Sequence, residues 1–558
     1  MYGTRRWQPT SFDTTSQADN NNMTGNHRPE TSTDDNTAPA PFPLFLLASL
    51  LLYALLYPLL SWTVFSEDDS HLMRVAMDYA GWQHFFVPEI YRELSAANYT
   101  PIPLVVYKTL VSWFGMSTDA FLVFMIVAMS LVSALAATLT GQITRSRMAA
   151  WAVILLIFSS MSMHTLITRF YTMHYLIGGI FALAALVVIF RRNPTTCSPW
   201  LPAVLLLLAL ISKEVYLVLP PLVGLYALYH RNVRLAIGAG VALALYLVLR
   251  TWMLGMSVDI GGESSYFAGF WGISGAAWAS FIGWYLQTRM FILAAVVLAL
   301  FLNTRRTLML LPLALVFAAP GLAVSHGIVE HTLHGDRIFF AFDCALAIVA
   351  VIAIAQSAYF QRFAKPLPML GLLALFLMVH VFNNASYRTQ TEQMADFRIT
   401  RFLLDNLADL EGATLFVPMN FIQGDLMRVH DALGQPPIFI TQNCIAALGA
   451  AEGELTMFNG NGELITREDL TANCIPASID PVVDIAPRYN NGLLQWQLQF
   501  PDGFNGGVLF VDRAFAVPIP AFSQQLVKPA PGERYQLFAN NGVNWWFSEV
   551  APMEIITD

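Results

Sequence analysis

The chain has 558 residues, of which 56% are hydrophobic and only 12% are charged, and its formal net charge at pH 7 is −8. A soluble domain carries about 25% charged residues, so the composition excludes an ordinary soluble protein. The acidic balance and the lack of a basic stripe argue against nucleic acid as a partner. Apolar runs of ~17–25 residues recur from Pro41 to Asn383, each long enough to cross a bilayer of about 30 Å. The composition therefore predicts a polytopic membrane protein.

The N-terminal segment, residues 1–41, is rich in Asn, Thr, Asp and Ser and contains few aliphatic residues. Such a segment cannot bury enough apolar surface to offset its chain entropy, so we expect a disordered tail on the cytoplasmic side. It also places the first apolar run too far from the terminus for a cleaved signal peptide. Pro41–Phe65 is therefore predicted to remain in the membrane as a span.

Arginine pairs define the predicted topology. Five short loops contain Arg145 and Arg147, Arg191 and Arg192, Arg231 and Arg234, Arg305 and Arg306, and Arg362 and Lys365. The positive-inside rule places all five loops in the cytoplasm, and two passes between neighbouring loops then give about eleven spans. The predicted spans are residues 42–65, 118–140, 148–168, 172–190, 199–212, 215–230, 235–254, 281–302, 307–325, 337–357 and 367–384. The odd number places the chain after Asn384 outside the cytoplasm, and the whole arrangement suits a bacterial inner (plasma) membrane.

The first outer loop, residues 66–117, begins with the acidic run Ser66-Glu67-Asp68-Asp69. Carboxylates at the mouth of a span are costly to desolvate, so they are normally paired, hydrated or part of a site. His71–Leu94 mixes Met, Tyr, Trp and Phe with acids at near-helical spacing, which is typical of amphipathic helices lying on a membrane surface. The prolines that follow interrupt this pattern, and Pro103–Phe114 is predicted as a short interfacial helix.

The same topology places most other ionisable side chains at the outer face. These residues are Arg169, His174, Lys213, Glu214, Arg250, Arg289, His326, Glu330, His331, His334, Asp336 and Arg337. A solvated loop charge is a sufficient explanation for each residue alone. It explains the set less well, because Arg169 and Lys213-Glu214 lie where apolar spans turn.

Four motifs now form a recognisable set. The acidic motif after the first span is Glu67-Asp68-Asp69, and Tyr99-Thr100-Pro101-Ile102 leads toward the second span. Arg145 begins a basic turn and an apolar span that ends in His164-Thr165, and Ser212-Lys213-Glu214 precedes Leu219-Pro220. Over residues 42–384 the chain resembles the GT-C superfamily of integral membrane glycosyltransferases, which take sugar from a polyprenyl-phosphate donor. The nearest pattern is the membrane half of the transmembrane O-mannosyltransferases that carry tetratricopeptide repeats.

Departures from that pattern limit what the resemblance implies. Thr100 stands where the family has Arg, and the family's His-Pro pair is absent around Ser160–His164. No tetratricopeptide repeats follow the membrane half. The substrate of that subfamily is therefore not carried over, although the mechanism of the superfamily is.

The resemblance assigns roles to several residues. It implies a carboxylate general base after the first span, and we favour Asp68, with Asp69 or Glu67 helping to orient it. Adjacent residues project about 100° apart in a helix, so only one of Asp68 and Asp69 can face the acceptor. The lipid phosphate leaves as an anion, and its candidate cations are Lys213, Arg337 and Arg169, in that order. Candidate donor or acceptor contacts are Glu214, His164, Tyr171, His174, His331 and His334. The alternatives are a snorkelling Lys213-Glu214 pair and an Arg337 that only marks the mouth of a span.

A histidine cluster raises the question of a metal. His326, His331 and His334 fall close together with Asp336, and these side chains are of the types that bind divalent cations. The spacing of His331 and His334 puts both on one face only in a helix, and Gly335 favours a loop instead. We assign no metal and no certain cofactor, and a divalent cation, phosphate or acceptor hydrogen bonding and plain loop histidines all stay open.

The C-terminal region, residues 385–558, is predicted to be an extracytoplasmic α/β or mainly β domain. Gln390–Leu410 is predicted as one helix, and β-prone runs follow at Ala413–Val417, Pro437–Thr441, Leu493–Phe500 and Gly507–Val511. Cys444 and Cys474 are a candidate disulfide, which suits an oxidising compartment, and two unpaired buried cysteines are the alternative. The region contains no catalytic motif, and we expect it to position the acceptor, bind glycan through Trp545 and Trp546, or cap the site.

Other functional classes stay open. A transporter or flippase has charges near the middle of the bilayer and internal repeats, and no repeat is evident. A polysaccharide ligase or polymerase usually lacks the early acidic motif, and a non-catalytic scaffold is the least favoured class. The expected partners are a polyprenyl-phosphate-linked sugar, a glycan, lipid or protein acceptor, and the bilayer.

Overall fold

The computed structural model describes residues 42–94, 98–191, 197–255, 275–319, 337–357, 359–360, 366–418, 421–442, 444, 447, 455–476, 482–490, 493–499, 504–510, 515–519, 522–526, 534–540, 544–552 and 554–555. The predicted N-terminal tail and the predicted histidine cluster, with His331 and His334, lie outside these residues.

Helices account for most of the described chain up to residue 405. They are α1 (Phe42–Ala54), α2 (Tyr57–Leu60), α3 (Asp69–Asp78), α4 (Pro88–Leu94), α5 (Pro101–Phe114), α6 (Thr118–Thr144), α7 (Arg147–Phe158), α8 (Met161–Thr168), α9 (Met173–Arg191), α10 (Trp200–Leu210), α11 (Leu219–Tyr229), α12 (Val233–Leu254), α13 (Gly275–Thr288), α14 (Met290–Leu315), α15 (Phe340–Ala355), α16 (Pro366–Glu392) and α17 (Ala395–Asp405). Short 3-10 turns at Gln83–Phe85, Phe170–Thr172 and Glu214–Val218 join some of them.

Several of these helices could cross a membrane. Among the described residues, five segments are long and apolar enough: Thr118–Thr144, Phe170–Arg191, Val233–Leu254, Met290–Ala318 and Leu370–Glu392. The pair Arg147–Phe158 and Ser162–Thr168 makes a sixth if it counts as one span with a bend of 66°. Shorter apolar helices occupy Phe42–Ala54, Trp200–Leu210, Glu214–Tyr229 and Phe340–Ala355. The chain is thus mainly helical with membrane-capable helices, and the total of about eleven spans stays a prediction.

Two stretches differ from the predicted spans. The predicted span 42–65 is broken between α1 and α2, where Pro58 lacks an amide donor and crowds the preceding turn. The predicted span 281–302 is divided at Arg289, which separates α13 from α14. α14 then continues to Leu315, interrupted only by Asn303, whose backbone is non-helical (φ −155°, ψ 65°). The predicted turn at Arg305 and Arg306 therefore falls slightly earlier.

Prolines set the start of the helix that closes the first outer loop. α5 begins at Pro101, two residues before the predicted start at Pro103. Proline is tolerated in the first turn of a helix because the amide groups there have no intrahelical acceptor. The two prolines therefore begin this helix rather than delay it.

The membrane part packs around α6, whose neighbours include α1, α7, α9 and α15. Ala134, Ala136 and Ala137 of α6 are fully buried, and small residues allow helices to approach closely where lipid offers no hydrophobic drive. The hydroxyl groups of Tyr53 and Ser133 lie 2.8 Å apart and join α1 to α6. This core supports the C-terminal end of α8 and the N-terminal end of α9, where the candidate site lies.

The last apolar helix passes the predicted boundary at residue 384. α16 continues to Glu392, and α17 begins at Ala395 after a short break. The prediction of one helix over Gln390–Leu410 is therefore wrong, because that stretch contains the end of α16, the whole of α17 and a 3-10 turn. Asn384 and Tyr387 consequently belong to a helix that begins among the apolar spans.

The C-terminal region combines strands and helices. Within its described part, β1 (Thr414–Phe416), β2 (Phe439–Thr441) and β3 (Leu455–Met457) form a parallel sheet in the order β2-β1-β3, and α18 (Asp425–Ala432) connects β1 to β2. α19 (Arg467–Asn473) follows β3. Two further sheets contain β4 (Ile475–Pro476), β5 (Val482–Asn490), β6 (Leu493–Gln499), β7 (Asn505–Phe510), β8 (Phe515–Ile519), β9 (Phe522–Leu526), β10 (Arg534–Asn540), β11 (Asn544–Phe547), β12 (Ala551–Pro552) and β13 (Glu554–Ile555). The four predicted β-prone runs coincide with β1, β2, β6 and β7.

Candidate active site

The two adjacent aspartates of the acidic motif have different environments. α3 begins at Asp69, and the side chain of Asp69 is fully buried. Its carboxylate accepts hydrogen bonds from the Tyr107 hydroxyl (2.7 Å) and from the Ser66 amide (2.8 Å). Burial raises the pKa of Asp69 to about 7, although these hydrogen bonds act in the opposite direction. Asp69 is therefore an internal anchor of the loop.

Asp68 is exposed. Its carboxylate has no hydrogen-bond partner among the described residues, and it interacts electrostatically with Lys213. It also lies at the N-terminal end of α3, where the helix dipole favours a negative charge. Of the two adjacent carboxylates, Asp68 is the one that an incoming hydroxyl group could reach.

Glu67 connects the motif to a network of tyrosines. Its carboxylate forms an ion pair with Arg169. Nε of Arg169 also donates to the Tyr387 hydroxyl (2.8 Å), and Nη1 donates to the Tyr171 hydroxyl (3.1 Å). Arg169 thus has a carboxylate and two hydroxyl partners already, which makes it the least available of the three predicted phosphate ligands.

Lys213 and Arg337 lie beside Arg169 but are engaged differently. Nζ of Lys213 donates to Oδ1 of Asn98 (3.1 Å) and lies 5.1 Å from the centroid of the Tyr175 ring. The guanidinium of Arg337 lies 4.9 Å from the centroid of the Tyr171 ring, and its Nε is buried without a hydrogen-bond partner among the described residues.

The positive charges of Lys213 and Arg337 also repel each other. Within the described part of the chain, neither has a carboxylate within ion-pair distance. Two partly buried cations on neighbouring tyrosine rings, with no carboxylate of the described residues at ion-pair distance, are suited to an anion from outside the chain.

An apolar groove of about 610 Å³ is lined at one end by Tyr216 and Phe340, which follow Lys213 and Arg337 closely in the chain, and neither cation lines it. Its walls come from α6, α9, α11, α14 and α15, and they are almost entirely aliphatic and aromatic. Along α15 the lining runs from Phe340 to Ile352, which spans about 18 Å at about 1.5 Å per residue. Phe340 lies three residues after Arg337, and Arg306 and Tyr229 line the far end. The groove therefore extends along the apolar helices from residues that neighbour the two cations in the chain.

Tyr216 fixes the junction between groove and cations. Its hydroxyl donates to the carbonyl oxygen of Tyr175 (2.7 Å), the residue whose ring faces Lys213. The ring of Tyr216 packs so closely on α9 that a Cβ atom at Gly178 would lie 2.5 Å from it. Glycine at this position is what allows Tyr216 to line the groove.

The remaining predicted contacts fall into two groups. His174 lies in the cation cluster, with its ring centroid 4.5 Å from that of Tyr175. Glu214 turns away from Lys213, because its carboxylate accepts from Nε of Arg250 and from the Tyr246 hydroxyl, each at 2.8 Å. His164 is buried in the core, with Nε2 3.1 Å from Oδ1 of Asn384. The structure thus brings Tyr171 and His174 to the site, whereas Glu214 and His164 form polar contacts with other residues of the chain.

Several residues of this region were not predicted from the sequence. Tyr387 and Asn384 lie on α16, at and just after the end of the predicted span. The Tyr387 hydroxyl contacts Arg169, and Oδ1 of Asn384 contacts His164. Asp343 is buried in α15 and accepts from Nε of Arg289 (3.1 Å), from the Tyr285 hydroxyl (2.9 Å) and from Ser162 (3.0 Å). An aspartate inside an apolar run was a usable signal, because ionisable residues there are rare and normally paired.

Metal and disulfide candidates complete the comparison with the sequence. No group of three or more His, Cys, Asp or Glu side chains that could hold a metal ion occurs among the described residues. The predicted metal candidates His331 and His334 are not among those residues. Cys444 and Cys474 form a disulfide, while Cys197 and Cys344 are buried thiols that are not in a disulfide.

No family model and no curated protein matches the chain. Among solved structures, the chain is similar to the crystal structure of ArnT from Cupriavidus metallidurans bound to undecaprenyl phosphate. The match has a TM-score of 0.43 and 13% sequence identity, and it covers 72% of this chain and 85% of that one. A match of this size carries no conclusion about function.

Proposed function

We propose that the protein is a membrane glycosyltransferase that transfers a sugar from a polyprenyl-phosphate donor to an acceptor hydroxyl at the extracytoplasmic face. One observation carries the proposal: an apolar groove begins at residues that neighbour two cations without a carboxylate at ion-pair distance, and an exposed aspartate interacts with one of these cations. An isoprenoid chain needs the first feature, its phosphate needs the second, and the acceptor hydroxyl needs the third.

The phosphate site explains how the leaving group would be stabilised. As the bond between the anomeric carbon and the phosphate oxygen breaks, both electrons remain on the phosphate, and negative charge grows there. Lys213 and Arg337 are held on the Tyr175 and Tyr171 rings before the donor arrives. Cations that are already oriented stabilise developing charge without reorganising during the reaction.

Asp68 is the proposed general base. It would accept the proton of the acceptor hydroxyl while the hydroxyl oxygen bonds to the anomeric carbon. An exposed carboxylate suits this role because it can reach a hydroxyl group within hydrogen-bond distance, whereas the buried Asp69 cannot. A single displacement of this kind inverts the configuration at the anomeric carbon, so the product linkage should be opposite to that of the donor.

The test is sugar transfer by the purified full-length protein in lipid nanodiscs, with a panel of polyprenyl-phosphate sugars and of glycan, lipid and peptide acceptors. Wild type is compared with Asp68→Asn and with the control Asp409→Asn, an exposed aspartate of the 3-10 turn Leu407–Leu410. We expect Asp68→Asn to lower kcat by about 100-fold or more and the control to retain activity. Transfer at the wild-type rate by Asp68→Asn would remove Asp68 from the mechanism.

A lipid flippase is the second candidate, because the buried Arg289–Asp343 pair places charge among apolar helices. It predicts movement of the polyprenyl-phosphate sugar between leaflets of a proteoliposome without chemical change to the donor. Donor translocation without any transfer product would favour this candidate over the transferase.

A further inference from the structure

The C-terminal region, residues 385–558, is called the soluble segment below. Its described part contacts the chain on both sides of the acidic motif Glu67-Asp68-Asp69. Before the motif, Nη1 of Arg401 in α17 donates to the carbonyl oxygen of Trp62 (3.3 Å). At the motif itself, Nε2 of Gln423 donates to the carbonyl oxygen of Glu67 (2.8 Å). These contacts join residues more than 300 positions apart in the sequence.

A third contact lies just after the motif. Asp425, the first residue of α18, forms an ion pair with Arg74 (Nε to Oδ2, 3.1 Å) and lies 3.0 Å from Nδ1 of His71. Arg74 is buried in α3 and also donates to Asp78 (3.1 Å). α18 is therefore attached to the helix whose first turn carries Asp68 and Asp69.

Glu67 has a backbone conformation that needs such support. Its φ is +48°, in the left-handed region, where a side chain is crowded against the following carbonyl oxygen. Arg169 holds its carboxylate from the membrane side, and the buried Gln423 holds its carbonyl group from the soluble side. The direction in which the chain leaves Glu67, and hence the position of Asp68, depends on both contacts.

The charge on Asp425 makes its contact durable. Burial acts to raise the pKa of Asp425, but the hydrogen bond to His71 and the charge of Arg74 outweigh it and bring the pKa down to about 2. The carboxylate is therefore ionised throughout the pH range of an extracytoplasmic compartment. Its ion pair with Arg74 persists over that range.

We propose that Arg401, Gln423 and Asp425 are positioning residues. Through them the soluble segment clamps the stretch Trp62–Arg74, which includes the start of α3, and so holds Asp68 where the acceptor hydroxyl must arrive. This inference rests on the proposed function for the identity of the reaction, while the clamp itself concerns the conformation of the loop. A misplacement of a reacting group by about 1 Å can cost about 100-fold in rate. The soluble segment thus affects the rate of the reaction although its sequence contains no catalytic motif.

The experiment uses full-length protein with Gln423→Leu, Asp425→Asn and Asp425→Glu. The control is Asp469→Ala, which removes the N3 half of the capping box that Asp469 forms with Thr466 at the start of α19 in the same region. Each variant is tested for kcat, for the KM of the donor, for thermal unfolding and for backbone hydrogen exchange over residues 66–78. We expect Gln423→Leu and Asp425→Asn to lower kcat between about tenfold and about 100-fold.

The donor KM should stay within about twofold of wild type in these variants, because Lys213 and Arg337 are not touched. Exchange over residues 66–78 should become faster, while exchange in α6 and α9 stays unchanged. Asp425→Glu retains an ionised acceptor and should recover most of the lost kcat. The control variant should have lower stability than wild type. Its hydrogen exchange over residues 66–78 and its kcat should equal those of wild type.

The outcomes separate the clamp from the proposed function. Wild-type exchange over residues 66–78 in both Gln423→Leu and Asp425→Asn overturns the clamp, whether or not sugar is transferred. Faster exchange in a protein that transfers no sugar supports the clamp and removes the reaction assigned to it. Equal losses of kcat in the control and in the clamp variants reduce these contacts to general stability.

Discussion

The Tyr107 hydroxyl donates a hydrogen bond of 2.7 Å to Oδ1 of Asp69, and both groups are fully buried. This contact joins α5 to the first turn of α3 and fixes the residue next to the proposed base. It also explains how a carboxylate can be retained in the core, since a buried acceptor without a donor costs about 1–3 kcal/mol or more.

Removal of this donor should be costly. We expect Tyr107→Phe to lower the free energy of unfolding by about 1–3 kcal/mol, because it leaves a buried carboxylate oxygen without its partner. The matched control is Tyr99→Phe, whose hydroxyl donates to the carbonyl oxygen of Phe85 (3.0 Å) instead of to a carboxylate. Thermal unfolding of both variants in the same detergent measures the difference, and equal losses would contradict the prediction.

Asp69 should make stability depend on pH in a defined direction. Its pKa is about 7 in the folded protein against 3.8 for an aspartate in an unfolded chain, so the folded state holds a proton that the unfolded chain releases between these values. The stability contributed by Asp69 is therefore greatest below pH ~4 and declines as the pH rises to ~7. Asp69→Asn should lack this decline. Unfolding temperatures measured from pH 4 to pH 8 test it, and parallel curves for variant and wild type would refute it.

Substitutions of the three candidate cations should have different effects on the donor KM and on kcat. Lys213→Ala and Arg337→Ala each remove a charge that has no carboxylate partner in the described chain, and we expect the donor KM to rise by about 10- to 100-fold. Arg169→Lys breaks contacts with Glu67, Tyr171 and Tyr387, so it should lower kcat and stability with a smaller effect on KM. Steady-state kinetics with one donor decide the matter. An unchanged KM for both alanine variants would remove them from the phosphate site.

The groove should discriminate between donors by chain length. Ala345 lines the groove, and Ala345→Phe fills part of it. We expect this variant to lose activity with long polyprenyl donors while it retains activity with a donor of one or two isoprene units. Gly240→Phe is the control, because that position is exposed and a Cβ atom there has no neighbouring atom within 4 Å. Equal losses with short and long donors would place the lipid elsewhere.

The buried Arg289–Asp343 pair should behave as a unit. Asp343→Leu leaves Arg289 charged inside the helices, and we expect a loss of about 3–5 kcal/mol of stability. The double variant Arg289→Met with Asp343→Leu should recover much of this loss, since it removes both charges together. Unfolding measurements on the single and double variants give the coupling energy. Additive losses would show that the two residues are energetically independent.

The features that depend on local composition were predictable from the sequence. The apolar runs at Thr118–Thr144 and Val233–Leu254 are helices near the predicted bounds, and the β-prone runs at Ala413–Val417 and Leu493–Phe500 contain strands. Both signals arise from the periodicity of side chains along a few turns or strand residues. The acidic motif was likewise visible, because carboxylates at the end of an apolar run stand out from their neighbours.

The features that depend on pairing were decided by the tertiary structure. The sequence could not distinguish Asp68 from Asp69, since the difference lies in Tyr107 covering one carboxylate and leaving the other exposed. It could not pair Glu67 with Arg169 and Gln423, or place Arg337 on Tyr171, because these partners are far apart in the chain. Composition and periodicity report how each segment meets water or lipid, whereas the partner of a buried polar group is known only once the segments have packed together.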